Sequence, residues 1–192
     1  MSDLRRAVGW GLAAASLLES GRRARTRAVS PAEERVFRVF NDAPDQIHAP
    51  VWVVMQSGSL AAVFVVSAVM LRRDKTQVAT ASAVAGTAAW AGIKLTKPLV
   101  GRGRPAHHLD GVAVRGKAQT GLGFPSGHAA VSTVLALMAT VPGPGRTVAL
   151  AVAGATGCAR MYVGAHLPLD VAGGFLAGGL FGAAARAVAS RC

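Results

Sequence analysis

The sequence predicts an all-α fold, an integral-membrane helical bundle of about five transmembrane helices behind an amphipathic or interfacial N-terminal helical region. Three observations predict it. Of 192 residues, 52% are hydrophobic and only 16% are charged, and the mean hydropathy is +0.39; soluble domains carry roughly 25% charge. Apolar runs of spanning length recur, rich in the small residues Ala and Gly that let helices approach closely in lipid. Arg and Lys clusters separate these runs, as cations flanking a bilayer do.

Residues 1–48 read as the N-terminal region and 49–192 as the transmembrane domain. Arg5-Arg6 precedes a short apolar stretch, Ala7–Leu18, that resembles a signal sequence. The following Glu19-Ser20-Gly21-Arg22-Arg23 is a poor cleavage context, so the stretch is read as a retained helix. Ser30-Pro31-Ala32-Glu33-Glu34 is a helix start: a capping serine, proline at the first position, then acidic residues in the first turn. Val36, Phe37, Val39 and Phe40 then form an apolar stripe beside Arg35 and Arg38, ending near Asn41 to Pro44. That stripe suits an interfacial helix or a helix packed on the bundle equally well.

Five spans follow. Ala49–Leu71 is closed by Arg72-Arg73-Asp74-Lys75, and Gln77–Thr96 by Lys97-Pro98. His128–Val141 is short, while Thr147–Ala165 and Leu169–Ala189 approach the roughly 20 residues that cross a bilayer core. The loop from Lys97 to Pro125 is long, which marks it as functional or disordered. Pro142-Gly143-Pro144-Gly145 is a tight turn without chemistry. Alternating spans bring Lys97, His128, Arg160, His166 and Asp170 to one membrane face. Arg72, Arg73, Lys75, Arg146 and Arg191 fall at the other.

Net charge is +12, from 21 Lys and Arg against 9 Asp and Glu. Nucleic acid, anionic lipid headgroups and phosphorylated substrates compete as explanations. Basic–aromatic interleaving and zinc-finger spacing are both lacking, so the sequence points away from nucleic acid. Cys158 and Cys192 read as free thiols, and the five histidines show no metal-ligand spacing. Asp170 lies four residues after His166, on the same side of a shared helical turn. A carboxylate on one imidazole nitrogen fixes the tautomer and frees the other nitrogen to attack or to accept a proton.

Three motifs gather these residues: Lys97-Pro-Leu-Val-Gly-Arg-Gly-Arg104-Pro105, Pro125-Ser126-Gly127-His128, and Arg160-Met-Tyr-Val-Gly-Ala-His166-Leu-Pro-Leu-Asp170. Together, in order and spacing, they resemble the signatures K-x6-R-P, P-S-G-H and S-R-x5-H-x3-D of the type 2 phosphatidic acid phosphatase superfamily. That superfamily also includes vanadium haloperoxidases. The resemblance runs from about Ala49 to Ala189, with one departure: Ala159 stands where the third signature begins with serine.

The resemblance implies a membrane lipid phosphatase that needs neither metal nor cofactor. It implies His166 as nucleophile, held by Asp170 and forming a phospho-histidine, and His128 as general acid and then base. It also implies phosphate binding by Lys97, Arg104, Ser126, Gly127 and Arg160. Cations and helix N-terminal amides suit the charge of a transferring phosphoryl group. The implied substrates are phosphorylated lipids: phosphatidic acid, phosphatidylglycerol phosphate, a polyprenyl diphosphate or a polyprenyl-linked sugar phosphate, with the polyprenyl class favoured slightly. The alternatives are a catalytically inactive lipid-binding membrane protein and a vanadate-dependent haloperoxidase. The positive-inside rule turns the active-site face of this cell-membrane protein toward the cytoplasm.

Other residues have plainer readings. His107 and His108 are loop histidines, and Arg102, Arg115 and Lys117 are solvated or lipid-facing cations. Gly173-Gly174 and Gly178-Gly179 are helix-packing positions. Trp10, Trp52 and Trp90 are interfacial anchors or core residues.

Overall fold

A computed structural model describes residues 2–26 and 28–189, with side chains over 7–26 and 28–188. Arg191 and Cys192 lie outside the described residues. Among the described residues there are eight α-helices and no strand: α1 (Ser2–Thr26), α2 (Pro31–Asn41), α3 (His48–Gln56), α4 (Leu60–Leu71), α5 (Thr76–Val100), α6 (Gly127–Met138), α7 (Pro144–Tyr162) and α8 (Pro168–Ala189). Short 3-10 turns sit at Asp45–Ile47 and Pro105–His107.

The bundle is built around α6, which packs on α5, α7 and α8. Ala129 to Ala136 and Met138 are all buried, so this helix meets protein on every side. Its 12 residues are too few to span a bilayer core alone, and being enclosed it has no lipid-facing surface to match. Gly174 and Gly178 of α8 make the approach to α6 possible: a Cβ on either would strike the backbone carbonyls of Ser126 or Ala130. Gly173 packs on the Phe124 ring, whereas Gly179 faces open space. The expected packing role therefore holds at three of these four glycines.

The first expected span is broken. Asp45–Gln56 and Leu60–Leu71 meet at 58° across Ser57-Gly58-Ser59. Ser59 caps α4 by accepting the Ala62 amide at 3.1 Å, and the Ser57 hydroxyl meets that of Thr156 on α7 at 2.7 Å. Gly58 lies against the backbone of His128, whose carbonyl leaves no room for a Cβ. The break thus lets the start of α6 come in close.

Other boundaries shift by a turn. α5 continues through Pro98 to Val100 and stops where Gly101 takes φ 72°, a left-handed conformation that glycine adopts without steric cost. α7 begins at Pro144, inside the expected turn, and ends at Tyr162. His166 consequently sits in the loop before α8. By length and apolarity, Pro168–Val188 qualifies outright as a membrane span, and the bent pair qualifies jointly. α5 and α7 have 25 and 19 residues, but their polar and small residues keep them below the apolarity of a span.

The N-terminal helices are packed on the bundle. α1 lies along α8 and touches α5. Phe37 of α2 is fully buried with Ala129, Met161, Leu167 and Val171, while Val36 and Val39 stay exposed on the other face. Asn41, also fully buried, donates to the carbonyls of Ala113, Met161 and Tyr162 and accepts the Ala113 amide. It ties the long loop and the end of α7 to α2.

Gly58→Ala is expected to force α3–α4 away from α6, at the roughly 1–3 kcal/mol typical of overpacking. A thermal melt of purified protein in detergent checks this; an unchanged midpoint would mean that the contact with His128 is dispensable.

Candidate active site

One end of the bundle collects the predicted residues. Lys97 is in the last turn of α5, His128 is the second residue of α6, Arg160 is near the end of α7, and Asp170 opens α8. Arg104 comes from the long loop, and His166 from the α7–α8 loop. At the far end Arg146 and Arg186 both donate to the Thr140 carbonyl.

His166 is buried, at 2% exposure. Arg104 Nη1 lies 3.0 Å from its Nε2 and 3.4 Å from its Nδ1, and donates to the Ala165 carbonyl at 2.7 Å. Asp170 Oδ2 is 3.6 Å from His166 Nδ1 and accepts the Leu167 amide at 2.9 Å. A neutral ring with its proton on Nδ1 suits both neighbours, since Nε2 then accepts from the guanidinium. Burial first, then the charges of Arg160, Arg104 and Lys97, hold His166 well below the ordinary imidazole range. The ring is neutral and keeps its lone pair.

Lys97, Arg104 and Arg160 share a feature: among the described residues, none has a carboxylate partner. Lys97 Nζ donates to the carbonyls of Leu122 and Gly123 at 2.8 and 3.0 Å. Arg104 uses backbone carbonyls, and burial holds its pKa below the ordinary value. Arg160, at 4% exposure, has only the Met55 sulfur on Nη1 and leaves its buried Nε without a partner. Buried donors are normally satisfied, so this cluster carries positive charge and donor capacity that the described residues leave unused.

The Ser126-Gly127-His128 segment differs in detail from expectation. Ser126 is the cap of α6, its hydroxyl accepting the Ala129 amide at 3.5 Å. Its own amide is taken by the Asp170 carbonyl at 2.9 Å, which leaves the amides of Gly127 and His128 as the open donors of this helix start. A Cβ on Gly127 would meet only Ile93, at ordinary contact distance, so internal packing does not demand glycine there. Ala159 packs in an apolar cluster with Met55, Tyr162, Val163 and Ala165.

Arg102 and Arg115 overturn the reading of solvated cations. Arg102 is 4% exposed and bridges Glu33 and Asp170. Burial opposes its charge, but hydrogen bonds and charge from those carboxylates outweigh burial and raise its pKa. Arg115 donates to the carbonyls of Asn41, Ala43 and Tyr162, pairs with Asp45 and stacks on the Tyr162 ring. Lys117 is exposed as expected. In sequence, Arg102 was one more cation in a basic loop and Glu33 one acidic residue of a helix start; only the fold brings them together. His108 is exposed near Arg102, and partial desolvation followed by the Arg102 charge lowers its pKa. Among the described residues, no three His, Cys, Asp or Glu side chains gather as metal ligands would.

A search of curated proteins finds no match. The crystal structure of Aquifex aeolicus LpxE shares the fold, with a TM-score of 0.71 and 22% identity over 85% of this chain and 98% of that one. The crystal structure of the first transmembrane PAP2-type phosphatidylglycerolphosphate phosphatase from Bacillus subtilis is similar with a TM-score of 0.78 and 22% identity, over 95% of this chain and 96% of its own. The family model of the PAP2 superfamily matches residues 75–192, the stretch that carries all three motifs, and the chain belongs to that superfamily.

Proposed function

We propose that this protein is a phosphatase of phosphorylated lipids that works in the cell membrane through a phospho-histidine. The observation that carries the proposal is the convergence of three cations without carboxylate partners on a neutral, buried His166. Phosphate monoesters bring the negative charge this cluster lacks, and two guanidiniums suit tetrahedral oxyanions.

In the proposed reaction, His166 Nε2 attacks phosphorus while the bond to the ester oxygen breaks. Arg104 turns from Nε2 to the phosphoryl oxygens, joining Lys97, Arg160 and the amides of Gly127 and His128. His128 gives its proton to the leaving alkoxide. It then takes a proton from water, whose oxygen attacks the phospho-histidine; the P–N bond breaks and inorganic phosphate leaves. Asp170 holds the Nδ1 proton throughout.

Two spaces support a lipid as the rest of the substrate. A cavity of about 300 Å³ beside Arg104 and Arg160 is walled by Trp52, His107, Lys117 and Gln119, and suits a polar headgroup. An apolar groove of about 440 Å³ runs between α1, α5 and α8 and reaches Phe124 and Pro125, next to Ser126. Lys and Arg in the long loop and the N-terminal region favour this end toward the cytoplasm.

Three outcomes are expected. Purified protein releases phosphate from at least one of phosphatidic acid, phosphatidylglycerol phosphate and a polyprenyl diphosphate, and His166→Ala abolishes release; equal release by both proteins would overturn the mechanism. His166 attacks only when unprotonated and its pKa is lowered, so the acid limb of kcat/KM falls below pH 6.5. A limb at or above that value contradicts a neutral nucleophile. With Cys158 and Cys192 replaced by serine, Lys117→Cys labels in inverted vesicles and not in intact cells; the reverse pattern turns the site outward.

A further inference from the structure

Arg102 stands inside the first motif at a position the signature leaves open, and it is paired with two carboxylates. Arg102 Nη2 meets Glu33 Oε2 at 2.9 Å, and its Nη1 meets Glu33 Oε1 at 3.0 Å and Asp170 Oδ1 at 3.1 Å. Side-chain exposure is 2% for Arg102, 13% for Glu33 and 0% for Asp170. Glu33 Oε1 also accepts the amide of Leu169 at 3.0 Å, in the first turn of the helix that carries Asp170. Glu33 itself is fixed at the start of α2, where its amide is held by the Ser30 hydroxyl at 3.1 Å. It lies before the 75–192 stretch that the family model matches.

We propose that Glu33 and Arg102 are positioning residues for the reaction, setting where the Asp170 carboxylate points. This rests on the proposed role of His166. A guanidinium prefers to bind a carboxylate with both arms. Glu33 occupies that fork, so Arg102 meets Asp170 through one nitrogen and one oxygen only. The second oxygen, Oδ2, is left for the Leu167 amide and His166 Nδ1. Without the Glu33 charge, Arg102 is free to close on both oxygens of Asp170 and draw them from the imidazole, or to swing toward the anion site. The N-terminal helix α2 thereby becomes part of the catalytic unit.

The test compares Glu33→Gln, Arg102→Met and Arg102→Lys with wild type in the full-length chain. Activity is read on short-chain phosphatidic acid, and site integrity from inhibition by orthovanadate. Glu33→Gln and Arg102→Met are expected to lower kcat about 10–100-fold, the scale of losing an orienting outer partner, while KM and vanadate inhibition change less than about threefold. Arg102→Lys restores part of kcat because it keeps the charge. Unchanged kcat in Glu33→Gln overturns the proposal, as does a parallel loss of kcat and vanadate inhibition, which signals a collapsed site. The His166 tautomer, read by ¹⁵N-histidine NMR and assigned with His166→Ala, needs no turnover: Nδ1–H should dominate in wild type and give way to a mixture in Glu33→Gln. An unchanged tautomer overturns the proposal even if the lipid is not hydrolysed; an inactive wild type with the expected tautomer change counts against the function alone.

Discussion

Three cations held together, none of them paired with a carboxylate among the described residues, are the constraint on which the rest of the site depends. Lys97, Arg104 and Arg160 repel one another, and part-buried charges feel that repulsion several-fold more than charges in water. Backbone carbonyls hold two of them, Leu122 and Gly123 on Lys97 and Ala165 and Gly121 on Arg104, while Arg160 meets the Met55 sulfur. Carbonyl dipoles offset part of the charge and leave its net sign positive. A carboxylate in the same place would neutralise the cation and compete with substrate. The fold thus keeps an anion site open by solvating it with main chain.

That solution makes the long loop structural as well as functional, because most of those carbonyls belong to it. The loop in turn must be fixed from outside. Asn41 binds the backbone of Ala113, Arg115 reaches the carbonyls at the ends of α2 and α7, and Arg102 crosses to Glu33. All three anchors end on α2 or the turn after it. The helix whose apolar stripe suits an interfacial or a bundle-packed position is packed on the bundle and clamps the loop, with Phe37 buried beneath it.

The sequence is most legible where chemistry fixes spacing. Lys97, Arg104, His128, Arg160, His166 and Asp170 could be grouped at one end by counting spans, and they do share one end of the bundle. Periodicity and apolarity say less about helix ends and breaks. Ser57-Gly58-Ser59 sits inside an otherwise continuous apolar run, and its effect comes from the His128 backbone packed against Gly58, a contact between residues 70 positions apart. Short α6 looked like a marginal span because length was judged against lipid, whereas its surroundings are protein. Arg102 and Arg115 misled for the same reason. A basic residue in a basic loop reads as solvated until the fold brings a carboxylate or a set of carbonyls to it.

Arg102 also shows why the charges divide as they do. Lys97, Arg102 and Arg104 all feel the Asp170 charge, yet among these described cations Arg102 alone is paired with carboxylates, and it has two. A buried pair seldom adds stability over an apolar alternative, but breaking one costs about 3–5 kcal/mol, so the Glu33–Arg102–Asp170 bridge is hard to rearrange. This rigidity is useful beside His166, whose Nδ1 needs a fixed acceptor. It would be harmful at Arg104, which contacts Nε2 and in the proposed reaction turns to the phosphoryl group before that nitrogen attacks. Arg104, which turns in the proposed reaction, is held by neutral backbone carbonyls, and Arg102 is locked between two carboxylates. Pairing, more than position along the chain, separates the groups proposed to meet substrate from those proposed to hold them in place.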